Sequence, residues 1–271
     1  MLILRQVILE SHTIMKKEDK SAEKNVIYGL KKIPISQKRH KIANLFEEVS
    51  NDYDKMNDVM SLGAHRIWKK DLVERIKKEQ LLDDTKDILD LAGGTGDIAF
   101  KIKKYFRNNN IIVMDLTPGM IKIGKSKAET AGYKGSIKWI AGDSAYLPFK
   151  NCSFNNITCA FGIRNVAEIE KTIEGCYKVL KPGGKLMILE FSPKVITPFQ
   201  KFYEYYLKNI IPLLGEKIAN NRKAYQYLSE SIETFYSPDN FCKLLVSKEF
   251  HIVNVKKYAN GAVCLFIASR I

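Results

Sequence analysis

Residues 87–97 read Asp-Ile-Leu-Asp-Leu-Ala-Gly-Gly-Thr-Gly-Asp, an apolar run that passes directly into a glycine-rich turn. Glycine bends the backbone this sharply while leaving its N–H groups open to a ligand. A helical pattern follows through Ile98, Ala99, Phe100 and Ile102. A strand, a glycine turn and a helix N-terminus in this order form a site for a nucleotide-like or carboxylate-bearing ligand. They also commit the chain to an α/β fold.

The rest of the sequence supplies matching elements. Helical spacing covers residues 41–59, with Ile42, Leu45, Phe46 and Val49 on one face, and residues 64–78. A run rich in β-branched residues, 111–115, ends in Asp115, and a helix over 118–131 opens on a proline, which suits its first turn. Strand patterns at 137–140 and 154–161 precede Gly142-Asp143-Ser144 and Gly162-Ile163-Arg164-Asn165, respectively. A helix over 167–180 stops at Lys-Pro-Gly-Gly, and a fifth strand covers 185–191. Two strands, 251–258 and 262–269, flank Asn260-Gly261, a hairpin signal. The alternation predicts a mostly parallel sheet with helices on both faces and a C-terminal antiparallel hairpin, as one domain over 41–271.

Composition narrows the class. A chain of 271 residues that is 45% hydrophobic and 27% charged is globular in its balance. No apolar run approaches the roughly 20 residues of a spanning helix. The five cysteines, Cys152, Cys159, Cys176, Cys242 and Cys264, form no Cys-x-x-Cys pair. They read as buried thiols in a reducing compartment, with no metal site. The net charge of +14 favours acidic partners in general. Because the lysines are spread along the chain, no nucleic-acid surface is expected. Residues 1–40 mix a short apolar start with Glu10, Glu18, Asp19 and Glu23, and are expected to be a targeting segment or disordered tail outside the fold.

Gly94-Thr95-Gly96-Asp97-Ile98-Ala99 satisfies the dinucleotide pattern, with Asp115 about 20 residues on, where a ribose-binding acid belongs. That pattern alone fits both a nicotinamide dinucleotide and S-adenosylmethionine. Asp90, placed just before the turn, would repel a pyrophosphate and suits an amino-acid ammonium. Asp143 and Ser144 follow the third strand, where adenine contacts fall, and no second domain to hold a hydride acceptor is expected from the pattern of elements. S-adenosylmethionine is the better fit.

Asp-Leu-Ala-Gly-Gly-Thr-Gly-Asp (90–97), Gly-Ile-Arg-Asn-Val (162–166), Val-Leu-Lys-Pro-Gly-Gly (179–184) and Leu-Glu-Phe-Ser (189–192) resemble the ubiquinone/menaquinone-biosynthesis C-methyltransferases. So do Tyr53-Asp54 with Met56-Asn57-Asp58, the stretch from Met60 through His65-Arg66 to Trp68-Lys69, and Tyr225-Gln226-Tyr227-Leu228 with Glu230-Ser231-Ile232. The resemblance runs from about residue 41 to the end of the chain. It implies a class I, Rossmann-like methyltransferase fold with a seven-stranded sheet and S-adenosylmethionine as cofactor. The implied substrate is a polyprenylated benzoquinol, methylated at a ring carbon. Carried over by position, Gly94, Thr95, Gly96, Asp115, Asp143 and Ser144 would bind cofactor. Ala160 stands where bacterial relatives tend to have serine, and Ala-Phe-Gly-Ile-Arg-Asn looks more like the mitochondrial form. The resemblance therefore implies a peripheral protein on the matrix side of the mitochondrial inner membrane, among other quinone-biosynthesis enzymes; the bacterial cytoplasm is the alternative.

An aromatic carbon is a poor nucleophile until a neighbouring ring hydroxyl loses its proton. The enzyme must position the ring and stabilise a phenolate-like oxygen. Arg164 is expected to supply a fixed positive charge and Asn165 a hydrogen bond, with Asp54, or a water it holds, taking the proton. Helix capping accounts for Arg164-Asn165 and for the cluster Tyr53, Asp54, Asn57 and Asp58 as alternatives. His65 has a suitable pKa but reads more readily as a packing residue. Tyr225 and Tyr227 are second-line candidates for the ring pocket. Phe199, Phe202, Tyr203, Tyr206, Ile210 and Leu213 form an aromatic stripe at helical spacing, expected to be core or a dimer face, with a polyprenyl tail or membrane surface as the functional reading.

Overall fold

The computed structural model describes residues 24–50, 53–79, 86–219 and 221–271. A short antiparallel hairpin comes first, β1 (Asn25–Tyr28) and β2 (Lys31–Pro34), turning at Gly29 with φ of 56°. Helices α1 (Ile35–Glu48), α2 (Tyr53–Ser61) and α3 (His65–Glu79) follow. Ordered structure thus begins before residue 41: the hairpin and the first turn of α1 lie in the segment assigned to a tail, and the tail reading fails there. The shift has a physical cause, because Tyr28 stacks on Tyr227 at 4.5 Å between ring centroids and Lys38 is buried against the domain. Whether residues 1–23 form a targeting segment lies outside the described residues.

The α/β domain alternates β3 (Asp87–Leu91), α4 (Asp97–Tyr105), β4 (Asn110–Asp115), α5 (Pro118–Thr130), β5 (Ile137–Ala141), β6 (Phe154–Ala160), α6 (Ile169–Val179) and β7 (Leu180–Phe191). The main sheet has the order β5-β4-β3-β6-β7-β9-β8, where β8 is Phe250–Tyr258 and β9 is Val263–Arg270. Strands β3 to β7 run parallel, while β9 pairs antiparallel with β7 and β8. Ile88, Leu89 and Leu91 of β3 are fully buried, as expected of a central strand covered on both faces. One apolar cluster joins the sheet to α1–α4 through Leu72, Ile76, Ile98 and Ile102; the other joins it to α6 through Ile173 and Cys176. The strand order reverses between β3 and β6, and the crevice above their C-terminal ends is where ligands bind in such sheets.

Between β7 and β8 lie four helices, α7 (Gln200–Tyr205), α8 (Ile211–Ala219), α9 (Arg222–Glu233) and α10 (Pro238–Ser247). The apolar spacing alone marks no helix over 222–247, although Asn221 and Ser237 cap α9 and α10 and Pro238 opens the second. The aromatic stripe is divided by a π-helical turn, Tyr206–Ile210. Pro212 has no N–H for the carbonyl one turn back, and the wider turn relieves that mismatch. Tyr203 and Tyr206 pack on the core, whereas Phe199, Phe202, Tyr205 and Leu213 are exposed. The cysteines also divide: Cys159, Cys176 and Cys264 are buried, Cys242 is half-buried, and Cys152 is exposed, contrary to a wholly buried set.

Candidate active site

Two tight turns build the floor of the site. After β3 the chain folds back through Ala92 (φ 49°) and Gly94 (φ 56°). After β6 it does so through Phe161 (φ 60°). A Cβ on Gly162 would lie 2.6 Å from the Ala92 Cβ, so glycine is what lets the two turns touch. Left-handed alanine and phenylalanine carry strain of about 1–3 kcal/mol each, and such strain concentrates where a site must be held in shape.

Asp115, at the end of β4, ties the first turn down. Its Oδ2 accepts from the Gly94 N–H at 2.8 Å and its Oδ1 from the Thr117 N–H at 2.9 Å. Burial pushes its pKa up, against the pull of those amides. The Thr117 hydroxyl and the Leu116 backbone also hydrogen-bond this carboxylate, and a carboxylate with its roughly four acceptor sites at the end of β4 suits the hydroxyls of a ribose.

A cleft with about 630 Å³ of empty space, counted out into open solvent, lies above these turns. Gly94, Asp115, Asp143, Ser144, Phe161 and Asn165 line it from the sheet side, and Arg39, Ile42 and Phe46 roof it from α1. The Arg39 Nε lies 2.7 Å from Asp143 Oδ2, and the same guanidinium pairs with Glu168. The lining therefore carries two carboxylates and one guanidinium already matched to acids. A pyrophosphate would find no cation to spare there, whereas a nucleoside bearing a positive sulfonium meets a favourable field. These residues fit S-adenosylmethionine.

Gly94, Asp115, Asp143, Ser144 and Asn165 are thus brought together. Thr95 and Gly96 stand apart from the lining. The Thr95 hydroxyl accepts from Lys127 Nζ at 3.3 Å, and Gly96 starts α4 with φ of 85°, where a Cβ would meet Trp139. Asp90 lies beneath the turn, not facing the cleft; it is fully buried, accepts from Thr158 Oγ1 at 2.8 Å, and is pushed up to about 7 by burial.

Arg164 sits behind the cleft wall. Its Nη1 donates to Glu190 Oε1 at 2.6 Å and to the Phe161 carbonyl at 2.8 Å, and its Nε donates to Ser231 Oγ at 3.2 Å. Asn165, next along, accepts at Oδ1 from the Tyr227 hydroxyl at 3.1 Å. Burial raises the Glu190 carboxyl, and the neighbouring Arg164 opposes that rise. Tyr225 is fully buried against the helices. Asp54 belongs to α2, but its side chain lies outside the described residues. Asp58 on the same helix bonds His65 Nε2 at 2.9 Å and Arg66 at 2.6 Å, away from the cleft. Burial lowers the His65 pKa, so the imidazole is neutral near pH 7.

Sequence reasoning missed Arg39 and Glu190. Nothing in a single sequence marks one of 44 basic residues as the one that reaches Asp143. Glu190 carried a signal, an acid inside an apolar strand, which requires a buried partner.

Known proteins similar to this chain fit the geometry. The ubiquinone/menaquinone biosynthesis C-methyltransferase UbiE of Rickettsia prowazekii is 40% identical over 251 residues, covering 91% of this chain and 99% of its own. The human mitochondrial 2-methoxy-6-polyprenyl-1,4-benzoquinol methylase is 35% identical over 291 residues, covering 95% of this chain and 87% of its own. The crystal structure of a SAM-dependent methyltransferase from Aquifex aeolicus shares the fold, with a TM-score of 0.53 at 17% identity over 73% of this chain and 89% of its own. The ubiE/COQ5 methyltransferase family model matches residues 35–270, from the first residue of α1 to the last of β9, and this chain belongs to that family.

Proposed function

We propose that the protein transfers a methyl group from S-adenosylmethionine to a ring carbon of a 2-methoxy-6-polyprenyl-1,4-benzoquinol, a step of ubiquinone biosynthesis. The observation that carries this reading is that Asp115, suited to a ribose, and Asn165, suited to a ring oxygen, face one cleft. The similarity to relatives bearing those names supports it.

When bound, the cofactor supplies a methyl group activated by a sulfonium. Gly94, Asp115, Asp143 and Ser144 hold and orient the nucleoside, and Ile42, Phe46 and Phe161 exclude water from above and beside it. Asn165 donates a hydrogen bond to the ring oxygen as negative charge builds there. Arg164, paired with Glu190, keeps a cation one residue away and fixes the turn that carries Asn165. Asp54, or a water it holds, receives the hydroxyl proton. Incubation of the purified protein with S-adenosylmethionine and the demethylated quinol tests this: a single added ring methyl is expected. Tight cofactor binding without ring methylation would overturn the substrate.

We assign the protein to the matrix side of the mitochondrial inner membrane as a peripheral protein, with the bacterial cytoplasm as the alternative; the human relative's name supports a mitochondrial location and the Rickettsia relative's a bacterial one. A homodimer and a complex with other quinone-biosynthesis enzymes belong to the same reading. No helix among the described residues is long and apolar enough to cross a membrane. Ile196, Phe199, Phe202 and Tyr205 are exposed beside Lys194 and Lys201, a pattern suited to an anionic lipid surface. Phe199→Ser with Phe202→Ser is expected to lower the partition coefficient onto anionic vesicles about 100-fold, since two rings at roughly 1.5–3 kcal/mol each when fully inserted total at least about 3 kcal/mol and about 1.4 kcal/mol is tenfold. Unchanged pelleting would remove the lipid contact.

A further inference from the structure

The N-terminal hairpin makes no contact that lines the cleft, yet it leads to the cleft through two aromatic rings. Tyr28, the last residue of β1, lies 4.5 Å from the Tyr227 ring at an interplanar angle of 26°. The turn that follows is seated on the same helix: a Cβ on Gly29 would lie 2.2 Å from Glu230 Oε2. From the other side, the Lys38 Nζ donates to the Val166 carbonyl at 3.0 Å, immediately after Asn165. The hairpin and α1 thus press on the turn 162–166 from two directions. Tyr227 is 5% exposed, and its hydroxyl points to Asn165.

A side-chain amide has a donor end and an acceptor end, and a neighbour decides which way it faces. Burial raises the Tyr227 pKa, so the phenol keeps its proton and serves as a donor. A donor on that side holds the Asn165 oxygen towards the helix, which leaves the amine of the same amide for the cleft. We infer that Tyr227, braced by Tyr28 of the N-terminal hairpin, is a positioning residue that fixes the Asn165 amide with its N–H groups towards the ring oxygen. This rests on the proposed role of Asn165. It also makes the hairpin, which precedes the residues matched by the family model, part of the active-site framework.

Without the Tyr227 hydroxyl the amide can turn over, and its oxygen would then repel the developing negative charge. The test is a double-mutant cycle of Tyr227→Phe and Asn165→Ala on the full-length chain, with kcat, KM for the quinol and cofactor Kd measured separately. Tyr227→Phe is expected to lower kcat about tenfold, with both binding constants within about threefold. Asn165→Ala is expected to lower kcat about 100-fold, the scale for one lost donor to an oxyanion. The double variant is expected to match Asn165→Ala, because the phenol then has no amide to orient. Tyr28→Phe keeps the stack and is expected to retain kcat, while Tyr28→Ala loses severalfold. Additive effects of Tyr227→Phe and Asn165→Ala would overturn the positioning role. A silent Asn165→Ala would instead remove the role of Asn165 itself, so the two failures are distinguishable. Thermal melts identify any variant that fails to fold, and Tyr28→Phe against Tyr28→Ala then decides the bracing role alone.

Discussion

Arg164→Ala is expected to eliminate turnover and to cost about 3–5 kcal/mol of stability, the range for breaking a buried pair by removing one partner. Arg164 and Glu190 are both almost wholly inaccessible to water, with side chains 3% and 0% exposed. Removing the guanidinium leaves the Glu190 carboxyl facing the Phe191 and Arg164 backbone N–H groups with no cation opposite. It also frees the Phe161 carbonyl and the Ser231 hydroxyl. A chain of this size should then melt lower by roughly 10 °C, at about 2–4 °C per kcal/mol. Arg164→Ala combined with Glu190→Gln should recover part of that loss, because the orphaned charge is gone, but none of the turnover. The folded fraction of either variant should still bind cofactor, since Arg164 does not line the cleft. A melting point unchanged by Arg164→Ala would mean that the pair contributes nothing to stability. Equal loss of turnover and cofactor affinity would make the arginine structural alone.

Asp115→Ala is expected to weaken S-adenosylmethionine binding about 100-fold or more. The carboxylate holds the Gly94 and Thr117 amides, and it lines the cleft where a ribose would lie. Hydrogen bonds to a charged group are worth about 1.5–3 kcal/mol each, and about 1.4 kcal/mol is tenfold in affinity. Two contacts to the ligand therefore account for the figure before any loosening of the turn. Asp115→Asn should fall between, because the amide presents hydrogens where one backbone N–H now donates. Isothermal titration measures both, and a Kd within threefold of the parent for Asp115→Ala would remove this residue from the cofactor site.

Much of this arrangement could be read from residue order. Periodicity places the strands because Ile88, Leu89 and Leu91, or Ile111 and Val113, are buried by neighbours on each side whatever the details of the loops. The glycine turn and Asp115 are legible for the same reason: their spacing reflects a local strand–turn–helix geometry. What could not be read depends on contacts between distant segments. Arg39 reaches Asp143 across 104 residues of chain, and Tyr28 reaches Tyr227 across 199. The hairpin escaped notice because four-residue strands leave almost no periodic signal. Thr95 shows another limit: it sits in the glycine turn, but the sequence does not show that its hydroxyl turns to Lys127.

The helix that roofs the cleft is fastened at both ends. Arg39 grips Asp143 and Glu168, Lys38 holds the Val166 carbonyl, and at the far end Glu47 accepts from the Gly119 N–H at 3.1 Å. Any outward motion of this helix breaks these ties and must remake them. Three of the four ties involve paired charges or a carboxylate near the surface, which dissolved ions weaken. Raised ionic strength therefore loosens the fastening of this helix, while the buried Arg164–Glu190 pair behind the cleft is screened far less.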